Sequence, residues 1–234
     1  MKIISWALTL IVCCQLLPGC AGFNAESINR ALEQPLDSET MAAGLKEALR
    51  IGTERSTATT SAVDGFNGNP LIRVALPQQY TSVADAIRGI GLGTHVDAFE
   101  LSMNRAAEKA SGEAVAVFWE AITKMSIADA FGILNGADDA ATDYFRHQTS
   151  DNLRSRFQPI VSAKMEEVGV ARYYEDLAGY YNLLPIQKPE AVDLDDYITD
   201  HTINGIFLIL EDEEKKIRQD PAARTTELLR KVFG

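Results

Sequence analysis

Thr94-His95-Val96-Asp97-Ala98-Phe99-Glu100-Leu101-Ser102-Met103-Asn104-Arg105-Ala106-Ala107-Glu108-Lys109-Ala110 carries the clearest periodicity in the chain. Val96, Phe99, Met103, Ala106 and Ala110 recur at steps of three and four, which puts them on one side of an α-helix. The polar residues keep helical spacing too. Glu100, Asn104 and Glu108 fall at i, i+4 and i+8 on a flank of that stripe, with Asp97 and Arg105 close by. Polar groups so placed line a ligand cleft between helices, form a buried network that fixes helix register, or face water. On the first of these readings Asp97, Glu100, Asn104 and Arg105 are candidate ligand-binding residues.

The same period runs outward in both directions. Upstream, Asp37-Ser38 offers a cap, and Met41, Leu45, Ala48, Leu49 and Gly52 share a face of a helix reaching about Thr60. Asp64-Gly65 and Asn67-Gly68-Asn69-Pro70 mark turns. Leu71 to Leu76, between Pro70 and Pro77, reads as extended, with Arg73 alternating out of the apolar set. A short helix from Ser82 to Ile90 ends in Gly89, Gly91 and Gly93. Downstream, Val115, Phe118, Trp119, Ile122 and Met125 form the next stripe, and Ser126 with Asp129 resembles a capping box for Ile127 to Leu134. Asp138 or Asp139 caps a helix to Thr149. Ser150 starts another, bent at Pro159 and closed near Gly169. Tyr173 to Leu184 suggests a helix ending at Pro185. Asp193 opens a long one with Leu194, Tyr197, Ile198, His201, Gly205, Phe207 and Leu210 inward, His201 as a hydrogen-bonded core histidine. Asp220-Pro221 reads as the start of a last helix. The expected fold is all-α: a single compact domain of about ten helices over residues 38–234, with at most one short extended segment or hairpin near residues 71–76.

Of 234 residues, 46% are hydrophobic, 24% charged and 8% aromatic, an ordinary globular balance. Lys+Arg 22 against Asp+Glu 33 leaves a net charge of −11, which repels phosphate backbones and excludes nucleic acid as a general partner. Lys2 is the only charge before Glu26, and an apolar run from Ile3 to Leu17 comes after it. That run is shorter than the roughly 18 residues a membrane span needs, and it reads as a secretory signal. It ends in Leu17-Pro18-Gly19-Cys20, which resembles the lipobox of bacterial lipoproteins in Leu17, Gly19 and Cys20, with Pro18 where a small residue is usual. The resemblance implies cleavage before Cys20 and a lipid on its thiol. Residues 1–19 are then the signal peptide and 20–37 the lipidated cysteine and a tether. Ala21 after the cysteine implies an outer-membrane destination. Cys13 and Cys14 leave with the signal, so the body has no thiol for catalysis, disulfides or cysteine zinc sites.

Catalytic motifs are sparse. Arg88-Gly89-Ile90-Gly91-Leu92-Gly93 is glycine-rich before a helix, yet it lacks the preceding strand and the Gly-Lys-Ser/Thr ending of a phosphate loop. Asp139, Asp143 and His147 share one helix face at i, i+4 and i+8 and are weak metal candidates. An acid at the start and a histidine near the end of a helix also suit its dipole alone. Glu190 to Glu214 holds nine acids and no base. Ile198 and Asn204 occupy positions where an EF-hand needs glycine and glutamate, so the run reads as a solvated acidic patch pairing with Lys215, Lys216 and Arg218.

Gly44-Leu45-Lys46-Glu47-Ala48-Leu49, Met103-Asn104-Arg105-Ala106-Ala107-Glu108, Ala140-Ala141-Thr142-Asp143-Tyr144-Phe145 and the ending Val232-Phe233-Gly234 carry a further likeness. From about Ser38 to Gly234 the chain resembles a family of exported bacterial proteins known only as a domain of unknown function. The resemblance implies a mostly helical envelope protein and brings no catalytic residue. The expected role is that of a membrane-tethered lipoprotein, non-enzymatic and without a cofactor, at the periplasmic face of the outer membrane. Its partners are the membrane, through Cys20, and an envelope protein. The rival expectations are a carrier of a lipid or other apolar ligand in an interhelical cleft, and a metal-assisted hydrolase.

Overall fold

The computed structural model describes residues 37–181, 190 and 192–234. The signal peptide, Cys20, nearly all of the tether and the expected helix end at Pro185 lie outside the described residues. The chain divides into two units, Met1–Asp37 and Ser38–Gly234, and every described helix belongs to the second.

Among the described residues the fold is all-α, with no strand. The helices are α1 (Ser38–Ser61), α2 (Thr81–Gly89), α3 (Gly93–Ser111), α4 (Ala114–Lys124), α5 (Ile127–Leu134), α6 (Ala140–Val168), α7 (Val170–Tyr181), α8 (Leu194–Gln219) and α9 (Glu227–Phe233). Seven of them run nine residues or more, so the expected count of about ten is not matched. One reason is α6, which is continuous where two helices were expected. Ser150 does not cap a new helix; its hydroxyl donates back to the Arg146 carbonyl one turn earlier. Gly169, at φ +77°, closes the helix. A second correction falls at Asp220-Pro221. Asp220 caps only a single 3-10 turn, Pro221–Ala223, because the Arg224 guanidinium folds back onto the Ile217 and Arg218 carbonyls; the last helix starts at Glu227 behind Thr226.

The long helices α1, α3, α6 and α8 form a bundle. α8 packs on α6, α1 and α3; α3 also packs on α6 and α1. The α3 stripe is the centre: Val96, Phe99, Met103, Ala106 and Ala110 are all buried. α4 closes the bundle across α1 and α6, where Phe118 meets Phe145 of α6 at 5.4 Å and Phe207 of α8 at 5.8 Å, edge to face. Its buried face is Ala114, Val117, Phe118 and Ile122, so Trp119, expected in the stripe, is displaced outward and 43% exposed.

The start of α6 needs acceptors for its first N–H groups. Asp138 and Asp139 were the expected caps, but Asp139 makes no side-chain cap bond. Glu214 supplies the cap from α8: its buried carboxylate accepts from Ala141 N at 2.9 Å, Thr142 N at 2.8 Å and the Thr142 hydroxyl at 2.8 Å. Arg218 pairs with Glu214 at 2.9 Å and donates to the Ile133 carbonyl, which ties the end of α5 to the same point. The acidic run is therefore not solvated throughout, although Lys215 and Lys216 do pair with Glu211, Asp212 and Glu213 as expected.

Two glycines test the packing. A Cβ on Gly205 of α8 would sit 2.6 Å from the Phe66 ring, whereas one on Gly52 of α1 would meet Leu210 at an ordinary 3.6 Å. Gly205→Ala should therefore destabilise by about 1–3 kcal/mol through overpacking. Gly52→Ala should stabilise by roughly 0.5–1 kcal/mol by removing helix-interior glycine. Denaturant midpoints moving in the same direction for both would contradict this packing.

The α5 start provides a pH test. The Ser126 hydroxyl and its backbone N–H both donate to Asp129, at 2.7 and 3.0 Å, and hold that carboxyl below the usual carboxylate range. A depressed folded pKa means that the contribution is present above the unfolded value near ~3.9 and is lost as pH falls through the folded one. Ser126→Ala should bring the Asp129 carboxyl titration back up toward that value in a carbon-detected NMR experiment.

Candidate functional site

The flank of α3 was the expected binding surface; Glu100, Asn104, Arg105 and Glu108 converge on the irregular segment between α1 and α2, while Asp97 pairs with α2. Asp97 is exposed and takes an Arg88 guanidinium at 3.1 Å. Glu100 receives Arg73 at 3.2 Å and Arg88 at 3.6 Å. One turn on, Asn104 is fully buried. Its side-chain oxygen accepts from Val74 N at 2.9 Å, and its amide donates to the Val74 carbonyl at 2.8 Å. A further turn on, one oxygen of buried Glu108 accepts from both Phe66 N and Asn67 N at 3.1 Å. Its other oxygen pairs with Arg105 at 2.5 Å, and Arg105 reaches Asp64 at 2.8 Å. Hydrogen bonds from Asn67 and Arg105 hold the Asp64 carboxyl below its usual range.

These contacts explain the segment they hold. Asp64 sits at φ +65° and starts a run of turns. The turns run through Leu71 and Ile72, and from Ile72 to Ala75 the side chains alternate as in a strand, Ile72 and Val74 buried, Arg73 and Ala75 exposed. The expected extended segment is thus present in side-chain pattern, but its partner is the Asn104 amide rather than a second strand. Asn104 and Glu108 therefore act as a structural clamp, with hydrogen-bonding groups directed at the chain's own backbone.

Asp139, Asp143 and His147 do not form a metal site: no group of three or more His, Cys, Asp or Glu residues suited to a metal is present among the described residues. Asp143 and His147 are exposed. His201 is not the expected core histidine. It is exposed at the surface with its ring 4.3 Å from that of Tyr197, and partial desolvation lowers its pKa. Gly89 to Gly93 forms the corner between α2 and α3, with Gly91 at φ +83°; a helix precedes it, as read from sequence.

An open site lies elsewhere, in a groove of about 360 Å³ between α1 and α4. Ala43, Lys46, Glu47 and Arg50 form the α1 wall. Trp119, Ile122 and Thr123 form the α4 wall. Both sets follow helical spacing, so each wall is one helix face. The Arg50 guanidinium is bracketed by Glu47 at 3.1 Å and Glu54 at 2.7 Å, while Lys46 has no polar partner among the described residues. Sequence reasoning missed this site because Trp119 was assigned to the core. Trp119 stands about 100° around the helix from Phe118, next to Thr123 and away from Ala114 and Val117.

The bundle, its clamped loop and its open groove define an all-α domain whose accessible chemistry is that of a surface cleft. The chain belongs to the family described as "Protein of unknown function (DUF4197)", which matches residues 35–234. No curated protein and no solved structure shows a detectable match to it.

The clamp has a ranked test. Asn104→Asp keeps the acceptor for Val74 N but sets a carboxylate against the Val74 carbonyl. It should cost at least as much as Asn104→Ala, roughly 2–4 kcal/mol. Glu108→Ala should cost about 3–5 kcal/mol, and Glu108→Gln less, because an amide oxygen still serves Phe66 and Asn67. Unaltered hydrogen exchange at the Phe66 and Val74 amides in these variants would refute the clamp.

Proposed function

We propose that the protein is a membrane-tethered, non-enzymatic binding lipoprotein of the bacterial cell envelope, and that the α1–α4 groove is its ligand-contacting surface. The observation that carries the binding role is Trp119: a large aromatic side chain, 43% exposed, held in a concave site beside a lysine that has no partner among the described residues. Exposed aromatics in a cleft are the usual anchors of recognition, because they bring contact area with little side-chain entropy to lose. The tether is supported by Leu17-Pro18-Gly19-Cys20, and by the acyl chains that such a cysteine carries, since more than one chain gives a stable anchor. Among the described residues no helix is long and apolar enough to cross a membrane.

The rival readings draw less from the molecule. A partly open pocket lined by Leu45, Leu49, Gly52, Leu210 and Phe233 has a volume of about 20 Å³. That is room for one water and not for an acyl chain. The hydrolase reading needed Asp139, Asp143 and His147 together on a metal.

Cys20→Ala should move the protein from the membrane to the soluble fraction of its native host without changing its melting temperature. Mass spectrometry of the wild-type protein extracted from membranes should find excess acyl mass on Cys20. Full membrane retention of the variant, or an unmodified Cys20, would overturn the tether.

A further inference from the structure

We propose that the α1–α4 groove binds a saccharide, with a pyranose ring stacked on Trp119 and a carboxylate substituent of the sugar taken by Lys46. This deepens the binding role proposed above and rests on it.

The chemistry of the walls selects the ligand. A pyranose has one face of C–H groups and a rim of hydroxyls that each donate and accept. The groove offers an indole for the face and Ile122, nearly buried, beneath it. For the rim it offers polar groups. Arg50 makes three hydrogen bonds, to Glu47 and Glu54, which orient it and leave two N–H groups unused. Both Glu47 oxygens face that guanidinium and retain lone pairs. Donor and acceptor therefore stand side by side on the α1 wall. Lys46 differs from them: it is only partly exposed and lacks a polar partner among the described residues, so a ligand carboxylate gains a charge-assisted bond without displacing one.

The same walls disfavour other occupants. A docked amphipathic helix needs apolar contacts at i, i+3, i+4 and i+7. Here the apolar lining is Ala43, Ile122 and the indole alone, set among four polar residues. A polyanion meets a net charge of −11 and, in the groove, Lys46 as the cation without a carboxylate of its own among the described residues. A single carboxylate on a largely neutral sugar escapes that repulsion. The volume of about 360 Å³ falls within the range of small-molecule sites.

Of the two tryptophans of the chain, Trp6 lies in the signal peptide and Trp119 in the groove, so in the processed protein the groove is the source of indole fluorescence. The processed, lipidated protein in detergent would be titrated with two probes. One is the disaccharide of N-acetylglucosamine and N-acetylmuramic acid, which bears a carboxylate. The other is N,N′-diacetylchitobiose, which is neutral. The acidic disaccharide should shift the Trp119 emission saturably and bind more tightly than the neutral one. In calorimetry, Trp119→Ala should weaken its binding at least about tenfold, with Trp119→Phe retaining most of it. Lys46→Gln should reduce the acidic sugar to the affinity of the neutral one, with melting temperatures of all variants confirming the fold. No saturable binding, equal binding of the two sugars, or binding unchanged in Trp119→Ala would overturn the proposal. The titration does not depend on where the protein resides, so loss of the Cys20 tether and loss of sugar binding are separate results.

Discussion

Val74 has no neighbouring strand among the described residues, yet both its peptide groups are turned toward the interior, and the Asn104 side chain meets both of them. A primary amide presents a donor and an acceptor with the spacing of a peptide unit, so one residue of α3 replaces a strand pair. Without that pairing, burying the segment would leave polar groups unsatisfied, at a cost comparable to the gain from burying Ile72 and Val74. With it, Ile72 and Phe66 reach the face of α8 at Gly205, where the absence of a side chain admits the ring. The irregular segment is then part of the core, and the α1–α2 connection is fixed against both α3 and α8.

Glu108 and Glu214 apply the same device with a charge. Each is buried on a central helix, each accepts from two successive backbone N–H groups, and each is paired with an arginine of its own helix. Desolvating a carboxylate is costly, and an apolar side chain of equal size would often serve stability as well. A carboxylate adds direction. Its acceptors are met only when the 66–67 turn lies at one height along α3, and only when α6 begins at one point on α8. Helices held by small apolar contacts can slide by a turn at little cost; these cannot without stranding a buried charge.

This pattern also explains what was legible in the sequence. The α3 stripe was readable because every member obeys one period and nothing competes with it. Glu100, Asn104 and Glu108 were readable as a set for the same reason. Their partners were not, because Phe66, Asn67 and Val74 answer through backbone atoms, which every residue type possesses and no side-chain pattern announces. Glu214 was hidden among Glu211, Asp212 and Glu213, and only docking of α6 separates it from them. Ser150 could cap forward or bond backward with the same hydroxyl, and the continuity of the α6 core face favoured the second. Trp119 was misplaced because Val115, Trp119 and Ile122 also keep a helical period, and only the packing of Ala114, Val117 and Phe118 decides which face of α4 is buried.

The step of about 100° per residue along a helix connects the core to the groove. On α1 the buried set Ala42, Leu45, Ala48 and Leu49 and the groove set Ala43, Lys46, Glu47 and Arg50 interleave along the same turns, so neither face can rotate independently of the other. The buried face is held by α8 and α9, and on α4 the Phe118 ring, wedged between Phe145 and Phe207, fixes the helix that displays Trp119. Glu47 and Glu54 orient Arg50 along the α1 wall. A ligand entering between these walls has little protein left to order, and ordering is a large part of what limits binding at small, shallow surfaces. The buried carboxylates and the Asn104 amide, committed to the domain's own backbone, thus hold the helices whose outer faces form the groove walls.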